Sequence, residues 1–301
     1  MRKVVKGVAF LLAALVIIAG ALGLAVGPLS ERKRHRVVDV AVAPVAYAEG
    51  ETALTRGKYL FQSRGCAECH GENAAGREVI NEPNGFYIKS PNISPGSGSV
   101  VKDYKEVDWV RSIRHGVSPQ KHALFLMPSA DYNRMTNTDV AAVIAYVRAL
   151  PPATGTGADI RLPLIVQALY VAGEVKDDAE LINHSLPPAT PVAEGQTPEH
   201  GAYVVQMCKG CHGDGLSGGS IPGTPPEWPP AANLTSGTGS AMPKYDSVDK
   251  FAGMLRTGKR PDGSAVSTVM PFATLRNLND TDVGGLYAYL KTVPARPAGQ
   301  R

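Results

Sequence analysis

The sequence predicts an all-α protein: two tandem copies of one small helical unit behind a single apolar N-terminal segment. Three observations carry this. The 301-residue chain repeats itself at long range, apolar residues recur at helical spacing towards the end of each copy, and residues 8–26 hold no charge at all. No run of alternating strand residues stands out in either copy.

The apolar segment comes first. Residues 8–26 read VAFLLAALVIIAGALGLAV, and no charged residue lies between Lys6 and Glu31. That length matches the ~20 residues that span a bilayer. A cleaved signal peptide has a shorter apolar core, about 7–15 residues. An AYA sequence at 46–48 resembles a cleavage site, but it lies well past the run and behind RKRHR. An uncleaved membrane anchor over residues 1–27 and a linker over 28–48 are therefore expected. The basic residues flank the apolar run: residues 1–36 hold seven Lys or Arg and one acid, leaving 24 basic and 26 acidic residues for the body. A nearly neutral body excludes a nucleic-acid binder. With 32 Gly, 24 Pro and 6% aromatics, that body is loop-rich and poor in large core side chains. A large flat cofactor would supply the missing core volume.

The repeat defines the domains. In the first copy GKYLFQSRGCAECHGENAAG leads to SPNISPGSGS, DWVRSIRHGVSP, FLMPSADYNRM and TDVAAVIAYVRALPP. In the second, GAYVVQMCKGCHGDGLSG leads to AANLTSGTGS, KFAGMLRTGKRP, STVMPFATLRNL and TDVGGLYAYLKTVPA. The expected domains are 49–152 and 196–301, joined by a connector over 153–195. The two TDV segments read as helices with Thr, Asn or Asp as N-cap and with Pro151 or Pro294 beyond their ends. EVDWVRSIRHG and SVDKFAGMLRTG read as short helices closed by Gly116 and Gly258. The middle of the connector, IRLPLIVQALYVAGEV, is apolar enough to pack as a helix, and the connector carries six acids against two bases.

The chemistry lies in Cys66-Ala-Glu-Cys69-His70 and Cys208-Lys-Gly-Cys211-His212, which use every cysteine of the chain. Cysteines at i and i+3 share one side of a helical turn, where each can form a thioether to one vinyl group of a haem. The next residue, His, is then held beneath the iron; the motif reads as c-type haem attachment. A thioredoxin-like motif would need a strand–helix unit that is missing here. A zinc site would need adjacent Cys69 and His70 to point at one ion. Haem iron in a carrier takes a sixth ligand, and Met raises its potential. Met127 and Met270, each before Pro, lie 57 and 58 residues after their histidines. Met242 also precedes Pro but has no counterpart; it, Met135, Met207 and Met254 read as packing. His115, His122, His184 and His200 are unmatched between copies and read as solvent-exposed.

With Cys-x-x-Cys-His early and Met-Pro late, each copy resembles a class I cytochrome c domain. The PNISPGSGS, VDWVRSIRHGVSP and TDVAAVIAYVRALPP segments resemble more narrowly the multi-haem cytochrome c subunits of membrane-bound alcohol and gluconate dehydrogenases. Those subunits usually carry three haem motifs, and this chain has two. The resemblance implies two covalently bound haem c groups with His70 and Met127, and His212 and Met270, as iron ligands. It implies that the first and last helices of each domain cross, pairing Gly57 with Tyr146 and Gly201 with Tyr289. Arg114 and Arg256 occupy equal positions in the repeat and are candidates to hold haem propionates. Trp109 and Phe251 match in the same way and are expected near the haem edge.

Two six-coordinate haems leave no open iron for a substrate. The expected function is therefore a membrane-tethered relay of single electrons between a redox donor and an acceptor, such as a dehydrogenase, an oxidase or a soluble cytochrome. The resemblance implies single-pass insertion in the cytoplasmic membrane with both haem domains on the periplasmic side. The rival class is a dihaem oxidoreductase, such as a peroxidase with one open iron. Two intact Met-Pro sites argue against it, and no spare cysteine exists to serve as an alternative ligand.

Overall fold

The computed structural model describes residues 2–301; inside the first helix the side chains of residues 2–4, 8–9, 14–19 and 21–22 lie outside that description. This helix, α1, runs over Arg2–Arg34 and continues through Pro28, so the expected linker begins as helix. Among the described residues, no helix is long and apolar enough to cross a membrane. The core of the expected anchor falls on residues outside the described side chains.

Each copy folds around its own apolar core. In the first, α2 (Glu51–Ser63) and α3 (Cys66–His70) precede α4 (Glu106–His115), α5 (Ser129–Tyr132) and α6 (Asn137–Ala149). The connector carries α7 (Leu164–Ala172) and α8 (Asp178–Leu181). The second copy repeats the order with α9 (Pro198–Val204), α10 (Gln206–His212), α11 (Val248–Thr257), α12 (Phe272–Leu275) and α13 (Asp280–Leu290), plus one 3₁₀ turn at Met242–Lys244. Leu60, Phe61, Trp109, Val140, Ile144 and Val147 build the first core. Their repeat partners Val204, Val205, Phe251, Val283 and Leu290, with Leu286, build the second.

The helix ends follow local chemistry. Thr136 caps α6 by accepting the Asp139 N–H at 3.1 Å, and Asn279 caps α13 by accepting the Asp282 N–H at 2.8 Å. Gly116 and Gly258 close α4 and α11 in the left-handed conformation, at φ of 63° and 69°. The expected helix crossings are present. A Cβ on Gly57 would lie 2.0 Å from the Ala142 carbonyl oxygen and 2.7 Å from Tyr146 Cβ. On Gly201 it would lie 1.9 Å from the Gly285 carbonyl oxygen and 2.6 Å from Tyr289 Cβ.

The all-helical expectation needs one correction. A three-stranded antiparallel sheet joins β1 (Glu78–Asn81) to β2 (Tyr87–Lys89), and β2 to β3 (Asp159–Arg161). Strands of three or four residues are too short to show an alternating pattern, and β3 belongs to the connector. The connector is also tied to α1. Lys33 Nζ donates to the Tyr170 carbonyl at 2.7 Å, while Arg36 makes two 2.7 Å hydrogen bonds to the buried Asp177 carboxylate.

Candidate haem sites

The motif cysteines lie on short helical turns, α3 and α10, each followed by a glycine at φ 78°. Beyond it the two loops match. His70 and His212 accept through their carbonyls from Gly76 and Gly218 at 2.8 and 2.9 Å, and Ala74 and Leu216 both take positive φ.

The imidazoles are set alike. His70 Nδ1 lies 3.0 Å from the Pro91 carbonyl oxygen, and His212 Nδ1 lies 2.8 Å from that of Ala232. A ring nitrogen facing a carbonyl is the protonated one, so Nε2 is left as the free ligand atom. Burial, opposed by the carbonyl contact, lowers both imidazoles below the ordinary His range and keeps them neutral, the ligating form.

In the first domain a cavity of about 310 Å³ brings Cys69, His70, Trp109 and Met127 onto one lining, with Ile93 and Ile113. A smaller hollow beside it is lined by Cys66, Phe61, Val143 and Val147, and also by His70 and Met127. In the second domain Cys208, Met207, Met242 and Met270 pack against the apolar core, and Phe251 is part of it. Burial pushes the Cys66 and Cys208 thiols up to about 12. Redox-active or metal-binding cysteines have lowered values. Among the described residues no group of three or more His, Cys, Asp or Glu could hold an ion directly. In the first domain one neutral imidazole and one thioether line an apolar hollow with the two thiols beside them, a donor set that fits a haem c.

The two arginines are placed otherwise than expected. Arg114 is 4% exposed, and its guanidinium donates to the Met135 carbonyl at 2.6 Å and to Asn137 at 2.9 Å. It is absent from the lining of both hollows of its domain. Burial lowers it to about 10. Arg256 pairs with Asp280 at the surface. Arg114 is therefore spent on the backbone ahead of α6 and Arg256 on a surface carboxylate. Two histidines expected at the surface are buried. His200 is 1% exposed and bonds Asp282 at 2.7 Å. His115 is 7% exposed, with its Nδ1 3.0 Å from that of His184.

Asn92 and Asn233, which no motif singles out, each pin the loop whose carbonyl orients a histidine. Asn92 Nδ2 donates to the Ala153 carbonyl at 2.9 Å, and Asn233 Nδ2 to that of Arg296 at 2.8 Å. Their shared place in PNIS and ANLT was the available signal.

Comparison with known proteins agrees with this geometry. The pattern of the cytochrome c family matches residues 54–151 and again 198–294. The chain is 26% identical to the fructose dehydrogenase cytochrome subunit of Gluconobacter japonicus, over 84% of this chain and 55% of that subunit. It is 27% identical to the gluconate 2-dehydrogenase cytochrome c subunit of Pantoea cypripedii, over 87% of this chain and 64% of the subunit. A diheme cytochrome c-type protein of Cereibacter sphaeroides is 28% identical, over 94% of this chain and 96% of its own length. The chain thus spans 55% and 64% of the two dehydrogenase subunits. Two such domains carry two covalently bound haem c groups. This chain belongs to the cytochrome c family, whose domain it holds twice.

Proposed function

We propose that the protein is a membrane-tethered relay that passes single electrons from a dehydrogenase to an acceptor, and is a subunit of a respiratory or dehydrogenase complex. The observation that carries this reading is the duplicated histidine setting, each ring fixed by Nδ1 to a backbone carbonyl beside Cys-x-x-Cys. The haem domains comprise residues 49–152 and 196–301, with the connector over 153–195. Cys66 and Cys69 hold one haem and Cys208 and Cys211 the other. His70 with Met127, and His212 with Met270, would hold the two irons. The haem contributes the one-electron couple; the protein sets its potential through the thioether ligand and the apolar lining.

Residues 1–27 are the anchor, supported by the uncharged run from 8 to 26. The family's attachment of haem c on the outer face supports haem domains in the periplasm; Arg2, Lys3 and Lys6 agree with that orientation, while Arg32, Lys33, Arg34 and Arg36 on the other side of the run do not. The names of the relatives support a sugar, sugar-acid or alcohol dehydrogenase as donor.

The test is mild-detergent extraction of native membranes, followed by affinity purification and mass spectrometry. A stoichiometric dehydrogenase subunit is the expected result. Recovery of the chain alone, from the soluble fraction, overturns both the anchor and the complex.

A further inference from the structure

The two domains meet through a reciprocal exchange that neither repeat encodes alone. At the start of α6, Thr136 is the N-cap and Asp139 the third helical residue; at the start of α13, Asn279 and Asp282 hold the same places. In an ordinary capping box the acidic side chain reaches back to the N-cap N–H. Here a tyrosine of the opposite domain stands between them. The Tyr203 hydroxyl accepts from the Thr136 N–H at 3.2 Å and donates to Asp139 at 2.5 Å. The Tyr59 hydroxyl accepts from the Asn279 N–H at 3.3 Å and donates to Asp282 at 2.6 Å.

Tyr59 and Tyr203 are themselves repeat partners, each two residues after the crossing glycine. The contact is therefore pseudo-two-fold. Behind each carboxylate sits a residue of its own domain: Arg56 bonds Asp139 at 2.8 Å, and His200 bonds Asp282 at 2.7 Å. One side has an extra link, because Arg64 of the first domain also donates to Asp282 at 2.7 Å.

The same interface brings each cysteine turn onto the methionine-side helix of the other domain. Glu68, within the first motif, accepts from Thr274 of α12 at 2.6 Å. A Cβ on Gly210, within the second motif, would approach Asp131 of α5 to 3.1 Å. A Cβ on Gly65, just before the first motif, would come within 3.4 Å of Thr274. Fixing the two caps thus fixes the distance between the two haem-attachment turns.

We propose that Tyr59 and Tyr203 are positioning residues of the relay, each completing the helix cap of the opposite domain and so holding the two haem-attachment turns at a set separation. This rests on the two-haem reading above. Phenylalanine keeps the ring and removes only the hydroxyl, so Tyr59→Phe, Tyr203→Phe and the double variant are the probes, made in the full chain.

Three readouts are needed. Haem content and the charge-transfer band of Met-ligated ferric haem report the two sites themselves. Calorimetry and small-angle X-ray scattering report docking without reference to activity. A redox titration reports the separation between the two macroscopic potentials. In the double variant, two Met-ligated haems remain, the single unfolding transition splits into two, the particle becomes longer, and the gap between the potentials shifts.

The single variants carry an order that loss of packing alone would not produce. Among the described residues Tyr203 is the one side chain from the second domain bonded to Asp139, whereas Asp282 keeps Arg64 when Tyr59 loses its hydroxyl. Tyr203→Phe should therefore loosen docking more than Tyr59→Phe. A double variant with wild-type unfolding, shape and potentials overturns the proposal, as does the reverse order of the single variants. Failure of the wild-type protein to show two Met-ligated haems would instead overturn the site assignment on which it rests.

Discussion

At the scale of single residues, Met127 and Asp282 make the sharpest predictions. The thioether of Met127 is the sixth ligand proposed for the first haem, and alanine there leaves an open iron beside a cavity. Met127→Ala should make half of the reduced haem bind carbon monoxide, where the wild type binds none without unfolding. The potential of that haem should fall by a substantial fraction of the ~0.8 V span that axial ligands command. Titration of carbon monoxide followed in the Soret band checks both the stoichiometry and which half reacts. Asp282 is governed by charge. Burial opposes its ionisation, but the nearby Arg64 charge and hydrogen bonds from Tyr59, Arg64 and His200 prevail and hold the carboxyl below its usual value of 3.8. A carboxyl depressed in the folded state contributes stability that is present above the unfolded value. That contribution is lost as pH falls through the folded value. The melting temperature should therefore drop on acidification below about pH 4. In Asp282→Asn, which has no charge to lose, the drop should be shallower and the neutral-pH stability lower. An acid limb of equal steepness in the two proteins would remove Asp282 from the account.

At the scale of elements, the helix crossings depend on hydrogen atoms where other residues carry Cβ. Gly57→Ala drives a methyl group into the Ala142 carbonyl at 2.0 Å, and backbone cannot rotate away as a side chain can. The gain in helix propensity, about 1 kcal/mol, is outweighed by overpacking of about 1–3 kcal/mol or more. The change should destabilise the first domain, while Gly253→Ala, on α11 with nothing within 4 Å, should stabilise the second by up to about 1 kcal/mol. Denaturant unfolding of the two variants beside the wild type gives both signs in one experiment. These crossings were legible before any coordinates through the resemblance to cytochrome c domains, although Gly57 lies nine residues ahead of Cys66 and Gly201 seven ahead of Cys208. The candidate residues Cys66, Cys69, His70 and their repeat partners could be named from sequence because Cys-x-x-Cys-His is a local spacing, and Met127 and Met270 because each precedes Pro at a matched distance. What stayed hidden depended on contacts distant in sequence. The repeat suggested a shared role for Arg114 and Arg256, yet their partners, the Met135 carbonyl and Asp280, differ between copies. His200 is exposed or buried according to whether Asp282, far along the chain, arrives beside it. Nothing in the local sequence marks Tyr59 and Tyr203, since only docking of the domains turns them into caps. The sheet escaped because β3 is supplied by the connector to a hairpin of the first domain.

At the scale of the whole molecule, the connector and α1 determine how the haem domains are carried. A flexible tether would let them tumble, but α1 ends in contacts that bind it to the body. Asp177 has no exposed side-chain surface and receives two hydrogen bonds from Arg36 and one from the Tyr170 hydroxyl at 2.6 Å. Lys33 and Arg36 also reach Glu180 at 3.1 and 3.2 Å. A helix leaving a membrane would thus hand its direction to the connector, and through β3 to the first domain, instead of ending in a loose joint. Arg36→Met removes the main counter-charge of a buried carboxylate. Breaking such a pair costs about 3–5 kcal/mol, and the 27% exposure of the Arg36 side chain places this case at the lower end. The loss should be local, with faster proteolysis within 153–195 while haem content stays at two per chain. Adding Asp177→Asn removes the stranded charge and should return most of the protection, since the penalty lies in the unpaired carboxylate and not in the missing arginine. Equal proteolysis in the single and double variants would mean that Tyr170 and the apolar face of α7, not this ion pair, hold the connector to α1.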